Sequence, residues 1–392
     1  MFKKVRYYIF LRDVLVLTLT AFGGPQAHFA MLLDLMVKKR GYLDEQELIE
    51  LNALCQILPG PTSTQTLTAI GFKIGGPTLA YLTLLVWLIP AFIIMTAAGI
   101  AISVIDKDQI SLSFTKYVHP IAVGIVGYSA YIIIKKVVKG YTTVILMTAS
   151  AIISFYIQTP YVFPVLLLIG GGITALNFKK QPIEEKGELH IKWANFFLWG
   201  GVFIFAATLG GITNALSIRI FENFYRNGSL IFGGGQVLIP LLYTEFVEFK
   251  EYLTSEEFLS GFALMQALPG PVFSLSSFIG AISLKEFGIY AQIGGAVMAA
   301  LGVFLPGTFL IFFVIRFWAD LKKYRIIRAS IDGISAVSSG MILAATFLLF
   351  LPLQHQPINY FIMPATFFIL VFTKIPTPIL IVIGLIAGLV IT

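Results

Sequence analysis

Long apolar stretches separated by short polar turns run along most of the chain, and their lengths predict membrane-spanning helices. A helix crosses a hydrocarbon core of about 30 Å with about 20 residues, and continuous apolar runs are not typical of strands. The only sizeable polar linker is 178–192, so we expect one domain over 1–177 and a second over 193–392. The crossings are predicted near 77–104, 113–134, 141–157, 161–177, 193–217, 288–318, 331–351, 357–373 and 376–391.

Composition supports this interpretation and excludes several classes of protein. Hydrophobic residues make up 57% of the 392 positions and charged residues 12%, whereas a soluble domain carries roughly 25% charged residues. The net charge of +7 does not predict nucleic-acid binding, because the basic residues are scattered between apolar spans. A single cysteine, Cys55, excludes a disulfide scaffold, and the four histidines lack metal-ligand spacing. We therefore expect no metal and no cofactor.

Two apolar stretches, 10–37 and 47–74, are interrupted by glycine and proline and do not predict simple crossings. The first contains Phe22-Gly23-Gly24-Pro25-Gln26, and the second contains Leu58-Pro59-Gly60-Pro61. Proline removes a backbone donor and clashes with the preceding turn, so the second motif should end one helix and begin another.

Both interruptions recur 210 residues later, which indicates an internal duplication. Phe232-Gly233-Gly234-Gly235-Gln236 repeats the first motif, and Leu268-Pro269-Gly270-Pro271 repeats the second. Gln56 pairs with Gln266 at the same offset.

The basic residues suggest how the two copies are oriented. With a cytoplasmic N-terminus, most Lys and Arg lie in cytoplasmic loops, in agreement with the positive-inside rule. Five predicted crossings then separate the two Pro-Gly-Pro motifs, so the copies should have opposite orientations. The alternative is a parallel pair with one crossing more or fewer. We predict an all-α polytopic membrane protein with two inverted-topology repeats and broken, re-entrant helices, a pattern typical of transporters.

The Pro-Gly-Pro motifs carry the strongest candidate chemistry. A half-helix that begins inside a membrane protein directs free N–H groups and a positive dipole end into its surroundings, and it can bind an anion there. The alternative is that Pro and Gly only kink crossing helices, and that the hydroxyls bond to nearby carbonyls. The Gly-Gly segments either admit a ligand or allow close helix packing. His28 could titrate near neutral pH or serve as a structural partner. The predicted substrate-binding residues are Gly23, Gly24, Gln26, His28, Gln56, Gly60, Thr62, Ser63, Thr64, Gly234, Gly235, Gln236, Gln266, Gly270, Ser274 and Ser276.

At these motifs the sequence resembles the chromate ion transporter family in its long, two-domain form. The resemblance includes Arg40-Gly41-Tyr42-Leu43 and the run from Leu58 to Thr64 in the first half. It departs from the family pattern at Thr62, where Asn is typical, and at Tyr42, where Trp is typical.

The resemblance implies chromate export with sulfate as a close mimic. We expect an inner-membrane location, with the cytoplasmic N-terminus that the basic residues favour. The expected partners are a small oxyanion and the lipid bilayer, with no nucleic acid. The sequence is compatible with either a monomer or a homodimer. No nucleophile elbow, P-loop or zinc-protease motif is present, so we expect a transporter and not an enzyme. Two alternatives remain: a membrane enzyme acting on a lipid phosphate, with His28 near its site, and an anion channel.

Overall fold

The computed structural model describes residues 2–22, 24–107, 116–159, 161–180, 191–231, 238–315, 317, 324–373 and 375–391. All regular elements within these ranges are helical. The helices are α1 Phe2–Thr20, α2 Gly24–Leu32, α3 Glu45–Ile57, α4 Thr62–Lys107, α5 Val118–Val137, α6 Tyr141–Tyr156, α7 Val162–Ala175, α8 Ala194–Thr213, α9 Leu216–Leu230, α10 Leu238–Tyr243, α11 Ser255–Ala267, α12 Leu275–Ile282, α13 Ile289–Val314, α14 Arg325–Phe350, α15 Asn359–Phe372 and α16 Thr377–Ile391.

The prediction of an all-α polytopic membrane protein is confirmed. Nearly every predicted crossing coincides with a helix. The described part of the chain contains five helices that are long and apolar enough to cross a membrane. Their apolar segments are Thr62–Val104, Val118–Lys135, Ala194–Thr213, Ile289–Val314 and Arg325–Leu353. Lipid can therefore surround the many apolar side chains that remain exposed, such as Leu168 and Ile212.

One predicted crossing has different bounds in the structure. The stretch 193–217 was expected to form a single helix, but α8 ends at Thr213 and α9 begins at Leu216. Asn214 adopts a positive φ of 52° between them, a conformation that asparagine tolerates better than most residues and that ends a helix. The apolar run thus continues through a turn, which hydropathy alone does not reveal.

The local structure repeats at the 210-residue offset seen in the sequence. Helix α3 covers Glu45–Ile57 and α11 covers Ser255–Ala267. Asp44 begins the first helix with a capping box to Glu47. Thr254 begins the second in the same way, because its hydroxyl accepts from the Glu257 amide while that carboxylate accepts from the Thr254 amide.

The turns before these two helices also correspond. A π-helical turn, Leu33–Lys39, follows α2, and another, Thr244–Phe249, follows α10. The residues after them, Gly41 and Glu251, have positive φ values of 60° and 53°. The duplication therefore extends beyond sequence motifs to the conformation of individual residues.

The chain forms two compact units, and each unit contains segments from both predicted repeats. The first unit consists of Met1–Ile110, Ala194–Ser229 and Leu264–Phe312. The second consists of Ser111–Trp193, Leu230–Ala263 and Phe313–Thr392. The two compact units therefore divide the chain differently from the predicted repeats 1–177 and 193–392. The repeat boundaries remain a proposal.

The first unit contains both Pro-Gly-Pro interruptions. Helices α1, α3 and α12 pack against α4, and Phe10, Val14 and Trp87 are buried in a shared apolar cluster. Helix α4 bends at Gly76, whose φ of 72° lies outside the helical region, and Pro77 follows the bend. The long helix after this bend forms one wall of the site described below.

The second unit is built around α14, which packs against α5, α6 and α7. Small residues allow these close approaches. A Cβ atom at Gly333 would collide with the Gly170 carbonyl, and one at Gly340 would collide with the Met147 carbonyl. Close approaches through small residues are typical of membrane helices.

Candidate functional site

The first interruption separates α3 from α4 and depends on Gly60. Its φ of 116° is in the region that favours glycine. A Cβ atom there would also lie 2.9 Å from Gln65 Nε2 and 3.3 Å from the Cα atom of Gly307 on α13. The helix break predicted at Leu58–Pro61 is therefore present, and only glycine fits at its centre.

The first turn of α4 carries the polar side chains that follow this break. The Gln65 amide donates to the Pro61 carbonyl at 2.9 Å, so the amides of Thr62, Ser63 and Thr64 precede the first intrahelical bond. These free N–H groups give the helix its positive end. The three side chains are buried, with Ser63 8% exposed.

His28 on α2 contacts this first turn of α4. Its Nδ1 atom lies 3.1 Å from Ser63 Oγ, and its Nε2 atom lies 3.1 Å from the Ala21 carbonyl oxygen. The ring also packs edge-on against Trp87 of α4, with centroids 5.4 Å apart. Two predicted site residues, His28 and Ser63, are thus in direct contact.

Trp87 and Gln65 are parts of this cluster that were not predicted as site residues. The Trp87 indole donates to Thr64 Oγ1 at 3.0 Å. Gln65 Nε2 donates to the Pro59 carbonyl at 2.8 Å and to the Gly307 carbonyl at 3.2 Å. Because both acceptors are carbonyls, the amide orientation of Gln65 is fixed, and Gln65 holds the break against α13.

The second interruption has the same backbone geometry. Gly270 has a φ of 122°, and a Cβ atom there would lie 2.9 Å from Ala91 Cβ on α4. Its amide donates to the Ala21 carbonyl at 2.9 Å, the same oxygen that contacts His28. The Ala21 carbonyl therefore connects His28 of α2 to the second Pro-Gly-Pro motif.

The side chains after the second interruption are mostly apolar. Val272, Phe273 and Leu275 correspond to Thr62, Ser63 and Gln65 at the 210-residue offset. The predicted residue Ser276 donates its hydroxyl to the Phe273 carbonyl at 2.7 Å. This is the arrangement expected if the hydroxyl satisfies a nearby carbonyl of its own helix.

Other hydroxyls make the same kind of bond. Ser277 donates to the Ser274 carbonyl, and Thr66 donates to the Thr62 carbonyl, both at 2.8 Å. Ser274 is buried in the short 3-10 turn Val272–Ser274. After the second interruption, fewer hydroxyl groups are therefore free to donate a hydrogen bond to a ligand than after the first.

Several predicted residues lie outside the described residues. These are Gly23, Gly234, Gly235 and Gln236. Gly24 is the first residue of α2. Gln26 on α2 and Gln56 on α3 have side chains outside the described part, and Gln266 on α11 is half-buried.

A charged cluster stabilises the turn that follows α2. Arg40 Nη2 donates to Asp13 Oδ1 at 2.7 Å, and the Tyr42 hydroxyl donates to Asp13 Oδ2 at 2.8 Å. Burial, together with this hydrogen bond to Asp13, raises the pKa of Tyr42 to about 12. The Arg40 and Tyr42 positions of the family motif therefore fix the turn to α1.

A second ion pair joins the two helices on either side of the first interruption. Lys73 on α4 pairs with Glu47 on α3, and this contact lowers the pKa of the Glu47 carboxyl. Among the described residues, no cluster of three His, Cys, Asp or Glu side chains could hold a metal ion.

These features define the class of protein. It is a polytopic α-helical membrane protein in which two interrupted helices meet within one compact unit. The sequence profile of the family described as "Chromate transporter" matches residues 9–176 and 218–389. The chain therefore belongs to the chromate transporter family, and the predicted family membership is confirmed.

Known relatives resemble the chain over most of its length. An uncharacterized transporter of Methanocaldococcus jannaschii is 25% identical over 95% of this chain and 92% of its own length. A probable chromate transport protein of Synechococcus elongatus is 26% identical over 94% and 91%. A chromate transport protein of Pseudomonas aeruginosa is 26% identical over 84% and 77%. No solved structure matches the chain.

Proposed function

We propose that the protein exports chromate across the cytoplasmic membrane and that the anion binds at the first turn of α4. The observation that carries the site is a buried helix start with hydroxyls at Thr62, Ser63 and Thr64. Ser63 is connected to the second interruption through His28 and the Ala21 carbonyl. The relatives named as chromate transport proteins support the substrate. Membership in a transporter family favours transport over catalysis on a lipid phosphate.

A helix start suits a dianion inside a membrane protein. The anion needs several hydrogen-bond donors and a positive potential, whereas a fixed buried cation would carry a large desolvation penalty when the site is empty. Free amides and the dipole of α4 provide both without a permanent charge. Sulfate has similar charge and shape, so we expect it to compete with chromate.

Thr64 is the hydroxyl best prepared to donate to such an anion. Because the Trp87 indole donates to Thr64 Oγ1, the hydroxyl hydrogen of Thr64 is directed away from the indole. Gly60 and Gly270 allow the backbone of both interruptions to come close to the ligand. Ser274 and Ser276 provide hydroxyls in the second copy, where Ser276 would have to exchange its bond to Phe273.

The transport mechanism we propose is alternating access, in which two inverted repeats move relative to the bound anion. The predicted repeats cover 1–177 and 193–392, with the N-terminus in the cytoplasm. The proposed site also includes the predicted residues of the Gly-Gly segments, Gly23, Gly24, Gln26, Gly234, Gly235 and Gln236, and the pair Gln56 and Gln266 on α3 and α11.

The site is tested by binding and flux of chromate and sulfate in proteoliposomes that contain the Thr64→Ala or Ser276→Ala variant. A hydrogen bond to a charged group contributes about 1.5–3 kcal/mol, so each variant should lose about tenfold or more in affinity. Thr83→Ala is the matched control, because Thr83 is a buried threonine of α4 that donates to the Leu79 carbonyl. Unchanged affinity in both site variants, or an equal loss in Thr83→Ala, would contradict the proposed site.

A further inference from the structure

The hydrogen bonds of His28 determine which of its two ring nitrogens carries a hydrogen. The Ala21 carbonyl can only accept, so His28 Nε2 carries a hydrogen and donates to it. In the neutral ring, Nδ1 is then an acceptor, and the Ser63 hydroxyl must donate to it across 3.1 Å.

This arrangement changes what Ser63 can do for an anion. While His28 is neutral, the only hydroxyl hydrogen of Ser63 is used by Nδ1, and the oxygen of Ser63 presents lone pairs that repel an oxyanion. Once Nδ1 gains a proton, the direction of the bond reverses and Nδ1–H donates to Ser63 Oγ. The Ser63 hydroxyl hydrogen is then released and can donate to the anion.

We propose that His28 is a proton-binding site that is filled together with the oxyanion, and that Ser63 transmits this proton to the anion site as a hydrogen bond. The inference rests on the proposed function, because it requires an anion at the first turn of α4. One proton from solution binds Nδ1, and the hydroxyl hydrogen of Ser63 rotates toward the ligand. The site thus acquires a positive charge only when a dianion is present to compensate it.

The described surroundings of the ring contain no fixed counter-charge in contact with it. The contacts are the Ser63 hydroxyl, the Ala21 carbonyl and the Trp87 indole. The described titratable or charged groups on the neighbouring elements are engaged elsewhere or exposed. The engaged groups are Asp13 with Arg40 and Tyr42, Asp34 with Lys39, Lys73 with Glu47, Glu50 with Gln46, Cys55 with Thr66, Tyr7 with the Gly75 carbonyl and Tyr81 against Phe312. The exposed groups are Arg6, Tyr8, Arg12, Lys38 and Glu45.

A bound dianion therefore supplies the charge that favours protonation of His28. An opposite charge nearby stabilises the charged form of a titratable group, and the coupling is reciprocal, so the proton must strengthen anion binding to the same extent. While the ring is neutral in the free protein and protonated in the complex, affinity for a dianion should rise about tenfold per unit fall in pH.

The test is proton uptake measured by titration calorimetry of the full chain in nanodiscs, in two buffers that differ in ionisation enthalpy. Sulfate and chromate are the probes, in mildly alkaline solution, where both are dianions and contribute no proton. We expect the wild-type protein to take up close to one proton per bound anion. Binding of either anion without proton uptake would overturn this inference and leave the proposed function intact.

Two variants assign the uptake to His28. Glutamine can keep the donor to Ala21 without titrating, so His28→Gln should bind the anion with no proton uptake and with pH-independent affinity. Ser63→Ala should still take up the proton but should bind the anion about tenfold or more weakly. Uptake that persists in His28→Gln would contradict the assignment.

The chain provides a matched control in a second buried histidine. His119 Nε2 lies 3.0 Å from Ser260 Oγ, so it forms the same kind of pair among residues of the second unit. His119→Gln should leave the proton uptake unchanged, and a loss of uptake there would count against His28. Failure of both anions to bind the wild-type protein would contradict the proposed function itself.

Discussion

The two Pro-Gly-Pro interruptions have the same backbone geometry, but their side chains have different hydrogen-bond partners. Gly60 and Gly270 have φ values of 116° and 122°, and each follows a helix that begins with a capping box. After the first interruption, buried polar side chains bond to α2, to α13 and across the Gly76 bend of α4. After the second, the serines bond to carbonyls of their own helix. The helix break is common to both copies, whereas the side-chain hydrogen bonds to other elements belong to the first.

This difference separates two requirements that a transporter of this kind must meet. A break in a helix is a matter of backbone geometry, and glycine and proline meet it in either copy. Recognition of an anion depends on side chains that are held in place, and only the first copy has such a network among the described residues. We therefore expect variants of the helix breaks and of the capping boxes to affect both copies alike, and variants of the polar side chains after the breaks to affect them differently.

The largest effect should come from alanine at the central glycines. Both positions have a φ that a residue with a side chain rarely adopts, at a cost of about 1–3 kcal/mol. The added Cβ would also lie 2.9 Å from Gln65 Nε2 at Gly60 and 2.9 Å from Ala91 Cβ at Gly270. Gly60→Ala and Gly270→Ala should both lower the thermal unfolding temperature and abolish transport. Gly172→Ala, which meets nothing within 4 Å on α7, is the control.

A smaller effect is expected when Gln65 of the first copy is replaced by leucine, the residue at the corresponding position, 275, of the second copy. Gln65→Leu makes the first copy resemble the second and removes the donor from the Pro59 and Gly307 carbonyls. A buried group left without a partner costs about 1–3 kcal/mol, and thermal unfolding of the variant should show this loss.

The reverse exchange, Leu275→Gln, tests the same comparison from the other side. Leu275 is fully buried, so the amide would be placed among apolar groups and should also destabilise the protein. If Gln65→Leu were neutral while Leu275→Gln was destabilising, Gln65 would not hold the break in place.

The smallest effect should come from the capping boxes, where the copies are alike. Asp44→Ala and Thr254→Ala each remove a side-chain acceptor from the first turn of a helix, at a cost of about 1 kcal/mol. Unfolding measurements should give similar losses for both variants, with little change in anion affinity. A large difference between the two losses would show that the two helix starts are not equivalent in energy.

Hydropathy and glycine-proline spacing predict most of the fold and less of the site. Long apolar runs identify the helices because lipid requires about 20 residues per crossing. The repeated motifs identify the breaks because glycine and proline act through the backbone alone. The turn at Asn214 was not predicted, because it lies inside a stretch that is mostly apolar.

The site residues that escaped prediction depend on contacts between distant parts of the chain. Gln65 reaches the carbonyl of Gly307, which is 242 residues away, and Trp87 reaches Thr64 across the bend at Gly76. Neither contact leaves a local spacing in the sequence. A glutamine in the first turn of a half-helix after Pro-Gly-Pro is the one signal that could have identified Gln65.

The contacts of the two central glycines cross over between the halves of the duplication. Gly60, in the first half, lies against Gly307 of the second, and Gly270, in the second, lies against Ala91 of the first. Each half thus contributes a residue that packs against the helix break of the other half. A fragment that contained one half alone would lose the contact that covers its break, so each half needs a partner half for assembly.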